Sequence, residues 1–313
     1  MKAIVVENYG PGKNLRSIKL AEPAPKPEEV LVRVHGAGVN LIDLKIAAGA
    51  FKDFMPLTFP WIPGIDFTGV IESVGTVVKG FAIGDEVYGA KMAGGTYAEY
   101  AVVDQAVIAL KPRTLTFTEA ATVPVAAETA WQVLFKYAKV ASGQTVLIHG
   151  AAGAVGVYAV QLAVQAGAKV IATASGDSKD FLASLGADVV IDYKTVAFET
   201  VAGSVDVVID TIGGEVQQRS YGVVKAGGYL VSLTQPVPAD VAARYNIHTI
   251  FSQLQPSHER LSRIAGLIDG GQLKIHPGNV YPLEQAADAW SELAGNPVAG
   301  RVKKNGRVVL AVG

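Results

Sequence analysis

The chain has 313 residues, half of them hydrophobic and 34 of them glycine, which excludes a mini-domain and a disordered chain and leaves room for two domains or one large one. Its 27 Lys+Arg against 28 Asp+Glu leave a formal charge of -1, so the bulk charge offers nothing to nucleic acid or to anionic lipid. Cysteine is absent, which removes disulfides, thiolate nucleophiles, iron-sulfur clusters and zinc sites built on thiolates.

The apolar run before Glu7 is too short for a signal-peptide core, and no stretch approaches ~18 uninterrupted apolar residues, so the expectation is a cytoplasmic protein with no membrane partner. Strands are predicted over Lys2 to Val6, Glu29 to Val39, Phe67 to Val74, Glu86 to Ala90 and Thr96 to Val103, with turns at Pro63-Gly64 and Gly84-Asp85. In the second of these, Val30, Val32 and Val34 alternate with Leu31, Arg33 and His35, the pattern of a strand with one face more buried than the other. Ala21 to Pro27, with three prolines, is a loop, and Asn40 to Ala48 is a helix stopped by Gly49.

Near residue 120 the texture changes. Thr116 and Glu119 have capping-box spacing, and Ala126 to Tyr137 reads as a longer helix. Six strands then alternate with helices or crossovers: Thr145 to His149, Lys169 to Ala174, Val189 to Asp192, Asp206 to Asp210, Tyr229 to Leu233 and Asn246 to Phe251. That order implies an α/β fold with a doubly wound parallel six-stranded sheet. The tail supplies helices over Ser257 to Asp269 and Leu283 to Ala294 and a last strand over Arg307 to Val312, which completes the first domain. The expected domains are therefore 1–123 with 257–313, and 124–256.

The most informative stretch is TVLIHGAAGAVGVYAVQLAVQAGAKVIATAS. A buried strand runs into Gly150, Gly153 and Gly156, and a helix follows whose apolar face is Val155, Ala159, Leu162, Ala163 and Ala166. The tight turn, the close approach to a pyrophosphate and the packing of helix on strand each exclude a β-carbon, and the helix N-terminus offers N–H groups to phosphate. Candidate cofactor-binding residues here are Gly150, Ala152, Gly153, Ala154, Val155 and Gly156. The acid that NAD readers place about 20 residues on is missing, since that region is Ala174-Ser175-Gly176. Ser175, Lys179 and Tyr193 could instead serve a 2'-phosphate, which points to NADPH, although Asp177 nearby would repel one. The five histidines, His35, His149, His248, His258 and His276, lack metal spacing and are expected to be structural or solvated.

With these residues and the strings GVNLIDLKIAAG (38–49), FPWIPGIDFTGVIESVG (59–75), PVAAETAWQVL (124–134), HGAAGAVG (149–156) and VDVVIDTIGG (205–214), the chain resembles the medium-chain dehydrogenase/reductase superfamily. Within it, the similarity is to the zinc-independent quinone oxidoreductases and 2-alkenal or enone reductases. The resemblance implies a GroES-like β domain built from both chain ends and a central Rossmann domain. Where the zinc-dependent members have a metal-binding cysteine this chain has Asn40, and where they have His-Glu after Pro-Gly it has Ile65-Asp66, so no metal site is expected. The resemblance puts Asn40 and Asp43 at the substrate pocket and Thr129 against the carboxamide of the nicotinamide, adds Leu233 to the cofactor contacts, and makes Lys45 a further catalytic candidate. On a regular helix Asn40 and Asp43 share a face and Lys45 does not. Phe51, Phe54, Phe59 and Trp61 read either as an apolar lid or as plain core, and Asp210 either as the acid closing the fourth strand of the doubly wound sheet or as a helix cap.

The chemistry implied is hydride transfer from NADPH to a quinone or to the β-carbon of an enone, with negative charge growing on an oxygen that needs hydrogen-bond donors. The alternative is a non-catalytic NADPH-binding protein that senses the cofactor or serves a partner. A homodimer is expected, through the strand Asn246 to Phe251 at the end of the sheet order.

Overall fold

The computed structural model describes residues 1–10, 14–53, 55–299 and 306–313. The chain forms two compact units, Met1–Val125 with Pro256–Gly313, and Ala126–Gln255.

In the first unit, strand β1 (Lys2–Val6) pairs antiparallel with β2 (Leu15–Lys19). Next come β3 (Glu29–Gly38), helix α1 (Leu41–Ala47), β4 (Asp66–Val74), β5 (Glu86–Ala90), β6 (Tyr100–Asp104) and β7 (Ile108–Leu110). The alternation in β3 turns Val30, Val32 and Val34 into the core and leaves Arg33 exposed. The strand expected from Thr96 starts only at Tyr100, because the N–H groups of Thr96 and Tyr97 both bond to the Pro63 carbonyl at 3.1 Å. Helix α2 (Phe117–Ala120) carries the expected capping box, with Thr116 N–H donating to the Glu119 carboxylate at 2.9 Å.

Helix α3 (Pro124–Trp131) leads into the second unit and widens to a π-helix over Gln132–Tyr137, where a regular helix was expected. The π turn opens on buried Gln132, whose amide donates to Ser252 Oγ and the Gln253 carbonyl and accepts from Gln255 N–H. The sheet of this unit contains β8 (Thr145–His149), β9 (Lys169–Ala174), β10 (Val189–Asp192), β11 (Val205–Asp210), β12 (Val224–Ser232) and β13 (His248–Phe251). All pair in parallel in the order β10-β9-β8-β11-β12-β13, with helix α4 (Ala154–Gln165) after β8. Chain order reverses between β8 and β11, the place where doubly wound sheets bind ligands at their carboxyl ends. β13 starts later than expected because Asn246, at φ +50°, ends the preceding helix in the left-handed conformation.

Back in the first unit, a helix over His258–Asp269 is followed by β14 (Pro277–Pro282), a helix over Ala286–Leu293 and β15 (Arg307–Ala311). These strands complete a sheet of order β14-β15-β3-β4-β5-β7, with β6 also paired to β3. Val32, Ile65, Phe67, Tyr97, Tyr281 and Leu310 are fully buried in its core.

Candidate active site

Strand β3 has antiparallel neighbours on both sides, with Gly36 opposite Thr68 of β4 and Gly38 opposite Val309 of β15. Both neighbours therefore begin where β3 ends, and their first residues, Asp66 and Arg307, flank Asn40 just beyond it. Three side chains close a triangle there. Arg307 Nη2 donates to Asp66 Oδ2 at 2.7 Å and to Asn40 Oδ1, and Asn40 Nδ2 donates to Asp66 Oδ2 at 3.0 Å. Asp66 Oδ1 accepts from Val125 N–H at 2.7 Å, and Arg307 Nη1 donates to the Thr122 carbonyl at 2.9 Å. Gly38 gives the carboxylate its room, since a β-carbon there would stand 2.9 Å from Asp66 Oδ2 and 2.4 Å from the Ala121 carbonyl.

Asn40 is 8% exposed and caps α1, whereas Asp43, one turn on, is completely buried. Asp43 Oδ2 accepts from Asn40 N–H at 2.9 Å and from the Tyr97 hydroxyl at 3.2 Å, while Oδ1 has no partner among the described residues. Burial, reinforced by the nearby Asp66 carboxylate, raises Asp43 to about 7 against the pull of its two donors and of Arg307. Asp43 thus holds the start of α1 rather than presenting a carboxylate to a ligand. Lys45 lies on the exposed side of α1, and no ion pair or hydrogen bond holds it among the described residues, so the helix separates it from Asp43. Trp61 belongs to the core, with Nε1 donating to the Ala93 carbonyl at 3.1 Å, and Phe51 and Phe59 pack against that core. Phe54 lies outside the described residues.

In the second unit the three glycines differ in what they accommodate. Gly150 has φ +66°, and a β-carbon would lie 2.4 Å from Thr211 Oγ1; at Gly156 it would meet the Gly150 carbonyl, also at 2.4 Å. Those two serve the fold. Gly153, the N-cap of α4, has an ordinary φ of -77° and only the Gly150 carbonyl near its missing β-carbon, at 3.1 Å. Its openness is toward solvent, and Ala152, Gly153 and Ala154 are exposed around it with Val155 half-buried. The first N–H groups of α4 lack intrahelical partners, so this turn is a cradle that fits a dinucleotide pyrophosphate.

Ser175, half-buried, follows β9, while Lys179 and Tyr193 are exposed. A cavity of about 260 Å³ is lined by Gly176, Lys179, Ile191, Asp192, Thr195 and Val196. Asp192, the last residue of β10, is not among the site residues predicted from the sequence. Its Oδ2 lies 2.8 Å from where a β-carbon on Gly176 would stand, and its Oδ1 accepts from Lys194 N–H at 3.0 Å. The pairing of Asp192 with Ala174 puts this carboxylate beside Ser175, close to where NAD readers carry an acid at the end of the preceding strand.

Thr129 is 6% exposed on α3, and Leu233, half-buried after β12, bonds through its N–H to the Asp210 carbonyl at 2.9 Å. Asp210 itself is buried and accepts from Ile212 N–H, Gly213 N–H, Gln217 and Ser232 Oγ, so it fixes the turn after β11. His149 is buried at the end of β8, which depresses its pKa to about 4. Ser220 gives its hydroxyl hydrogen to the Val216 carbonyl and therefore accepts from His149 Nε2 at 2.9 Å, leaving Nδ1 to accept from Thr173 at 3.0 Å. The imidazole is a neutral support beneath the glycine turn.

A parallel doubly wound sheet with this glycine turn, joined to a β unit from both chain ends, defines a nucleotide-dependent oxidoreductase fold. Family models match as Alcohol dehydrogenase GroES-like domain over residues 26–113 and as Zinc-binding dehydrogenase over 185–302. The chain is 37% identical to 2-methylene-furan-3-one reductase of Solanum lycopersicum, over 96% of this chain and 78% of that protein. It is 35% identical to the chloroplastic NADPH-dependent alkenal/one oxidoreductase of Arabidopsis thaliana, with the same two coverages. The solved quinone oxidoreductase from Coxiella burnetii superposes with a TM-score of 0.90 at 33% identity, covering 100% of this chain and 99% of that one. The chain belongs to the medium-chain dehydrogenase/reductase superfamily, which implies pyridine-nucleotide binding. Zinc does not fit its residues: a guanidinium lies between Asn40 and Asp66, and among the described residues no three His, Cys, Asp or Glu side chains are grouped to hold a metal.

Proposed function

We infer that this protein is an NADPH-dependent oxidoreductase that passes a hydride, without metal, to a quinone or to the β-carbon of an α,β-unsaturated carbonyl. The observation that carries the reading is the Arg307 guanidinium bridging Asn40 and Asp66. A site with an amide where a Lewis acid would stand suits acceptors that are already electron-poor. The names of the reductase and oxidoreductase relatives support the same acceptor classes.

A nicotinamide cofactor would supply the hydride when bound. The chain's own work is to hold and to donate: α4 and Gly153 would take the pyrophosphate, Ser175 and Lys179 the adenosine end, and Thr129 the carboxamide. The second Nδ2 hydrogen of Asn40 donates to the acceptor oxygen as charge grows there, and water protonates the α-carbon of an enone. Lys45 is open to solvent and can add a donor only from the exposed side of α1. Asp192 favours a second reading for the cofactor, since a carboxylate beside Ser175 suits a ribose hydroxyl better than a 2'-phosphate and so favours NADH. The outer edge of β13, unpaired among the described residues and with Phe251 exposed, supports pairing with a second copy as a homodimer.

The test follows NADPH and NADH absorbance with a panel of quinones, 2-alkenals and cyclic enones. Turnover of either acceptor class, with product analysis showing the reduced β-carbon or hydroquinone, is the expected result. Cofactor binding with no turnover across the panel would leave a binding protein instead.

A further inference from the structure

The Asn40 side chain is an amide whose two ends differ only in whether they donate or accept, and its surroundings leave one orientation. Guanidinium groups have no acceptor, so the end facing Arg307 must be Oδ1; carboxylates have no donor, so the end facing Asp66 Oδ2 must be Nδ2. A flipped amide would set N–H groups against N–H groups and oxygen against oxygen in a site that is 0–8% exposed. The clamp is itself held: Asp66 is tied to Val125 N–H and Arg307 to the Thr122 carbonyl, so neither can swing to follow a turning amide. Asp43, through the Asn40 N–H, holds the backbone of the same residue.

From this geometry we propose that Arg307 and Asp66 are positioning residues, whose ion pair fixes the Asn40 amide with one Nδ2 hydrogen as its only donor left for the acceptor oxygen. The inference rests on the function proposed above and adds two residues, from β4 and β15, that act through Asn40. Asn40 alone would be a weak oxyanion donor, because a free amide presents its oxygen as readily as its nitrogen. Clamped, it presents a hydrogen, and the clamp does for orientation what ligation to a metal would do elsewhere.

The experiment compares wild type with Arg307→Lys, Arg307→Met and the charge-neutral Asp66→Asn/Arg307→Met pair, the last covering the case that Arg307→Met alone does not fold. Two readouts are taken: steady-state kinetics with cofactor affinity measured separately, and the side-chain NH2 signals of Asn40 in protein labelled with 15N-asparagine, assigned by their loss in Asn40→Ser. In wild type the two Asn40 amide protons are expected to be well separated and slow to exchange. In the folded double variant that separation should narrow to that of a free asparagine side chain, exchange should quicken, and kcat should fall by about 10²-fold, the scale of a lost oxyanion donor, with cofactor affinity unchanged. Arg307→Lys keeps the charge but not the planar fork that reaches Asn40, Asp66 and Thr122 together, and should recover only part of both readouts. Unchanged Asn40 signals in the double variant, or a loss shared equally by cofactor affinity, would each overturn the proposal. Should wild type turn over no acceptor, the proposed function fails, and the Asn40 signals still decide whether the clamp exists.

Discussion

Arg307 and Asp66 are 241 positions apart in the sequence and 2.7 Å apart in the fold. Strand topology makes this so: β4 and β15 run antiparallel to β3 and both start beside its C-terminal end, and their first residues meet over Asn40. The pair is almost wholly buried, so its members depend on each other more than on the rest of the core.

Breaking this pair from one side is expected to be worse than removing it. Arg307→Met leaves the Asp66 carboxylate buried without its cation and should lower stability by about 3–5 kcal/mol. Adding Asp66→Asn removes the stranded charge and should recover part of that loss. Urea denaturation of the two single variants and the double variant measures the cycle; a double variant as unstable as the sum of the singles would contradict it.

Asp43 sets a pH dependence of stability. Its carboxyl, ordinarily at 3.8, is raised to about 7 in the fold by burial and by Asp66, against Asn40 N–H, Tyr97 and Arg307. The folded state therefore binds the proton more tightly than the unfolded chain does. This favourable linkage is fully present below the unfolded value and is lost as the pH rises through about 7. Asp43→Asn mimics the protonated form. Its melting temperature relative to wild type should be least favourable near pH 4, improve up to about pH 7 and change little above that. A constant difference over this range would show that Asp43 does not titrate there.

The glycine turn separates a folding role from a binding one. Gly156→Ala drives a methyl to 2.4 Å from the Gly150 carbonyl and should destabilise the second unit severely. Gly153→Ala meets only one atom, at 3.1 Å, with an ordinary φ, and should melt close to wild type while binding either nicotinamide cofactor less tightly. Calorimetry with cofactor titration measures both; equal melting temperatures for the two variants would refute the assignment.

Lys179 and Asp192 share one cavity and pull the cofactor preference in opposite directions. Lys179→Ala should raise KM for NADPH and leave KM for NADH nearly unchanged, because a charge-assisted contact to phosphate is worth about 1.5–3 kcal/mol. Asp192→Asn should shift the ratio of the two cofactors' kcat/KM toward NADPH by relieving repulsion of the 2'-phosphate. No shift in either variant would place cofactor choice elsewhere.

Activity should survive prolonged chelation, since the clamped Asn40 amide is the proposed donor to the acceptor oxygen. Elemental analysis finding one zinc per chain, with loss of turnover on its removal, would contradict this.

What could be read from the sequence is what is local. The bounds of β1, β5, β8, β9 and β10 follow from apolar runs between turn residues, and the glycine turn from three glycines set between a strand and a helix. Asn40 and Asp43 lie within one turn of helix, so their shared face was legible from spacing alone. β14 was not among the predicted strands, because Pro277, Gly278 and Pro282 interrupt any strand pattern; only its place at the sheet edge, beside β15, makes a strand of it. The clamp was illegible for the same reason at longer range. Nothing near Asn40 in the chain announces Arg307, and Asp43 is lifted by its burial and by the charge of Asp66 against the Tyr97 hydroxyl, two residues on other segments. Asp192 stands beside Ser175 through strand pairing, 17 positions from it in sequence and next to it in the sheet. The sequence determined the elements and the chemistry available to them, because backbone preference and side-chain period act between near neighbours. Which charges face which, and hence which groups are clamped, titrating or open, was decided by the tertiary structure, because burial and Coulomb interaction depend on distance in space.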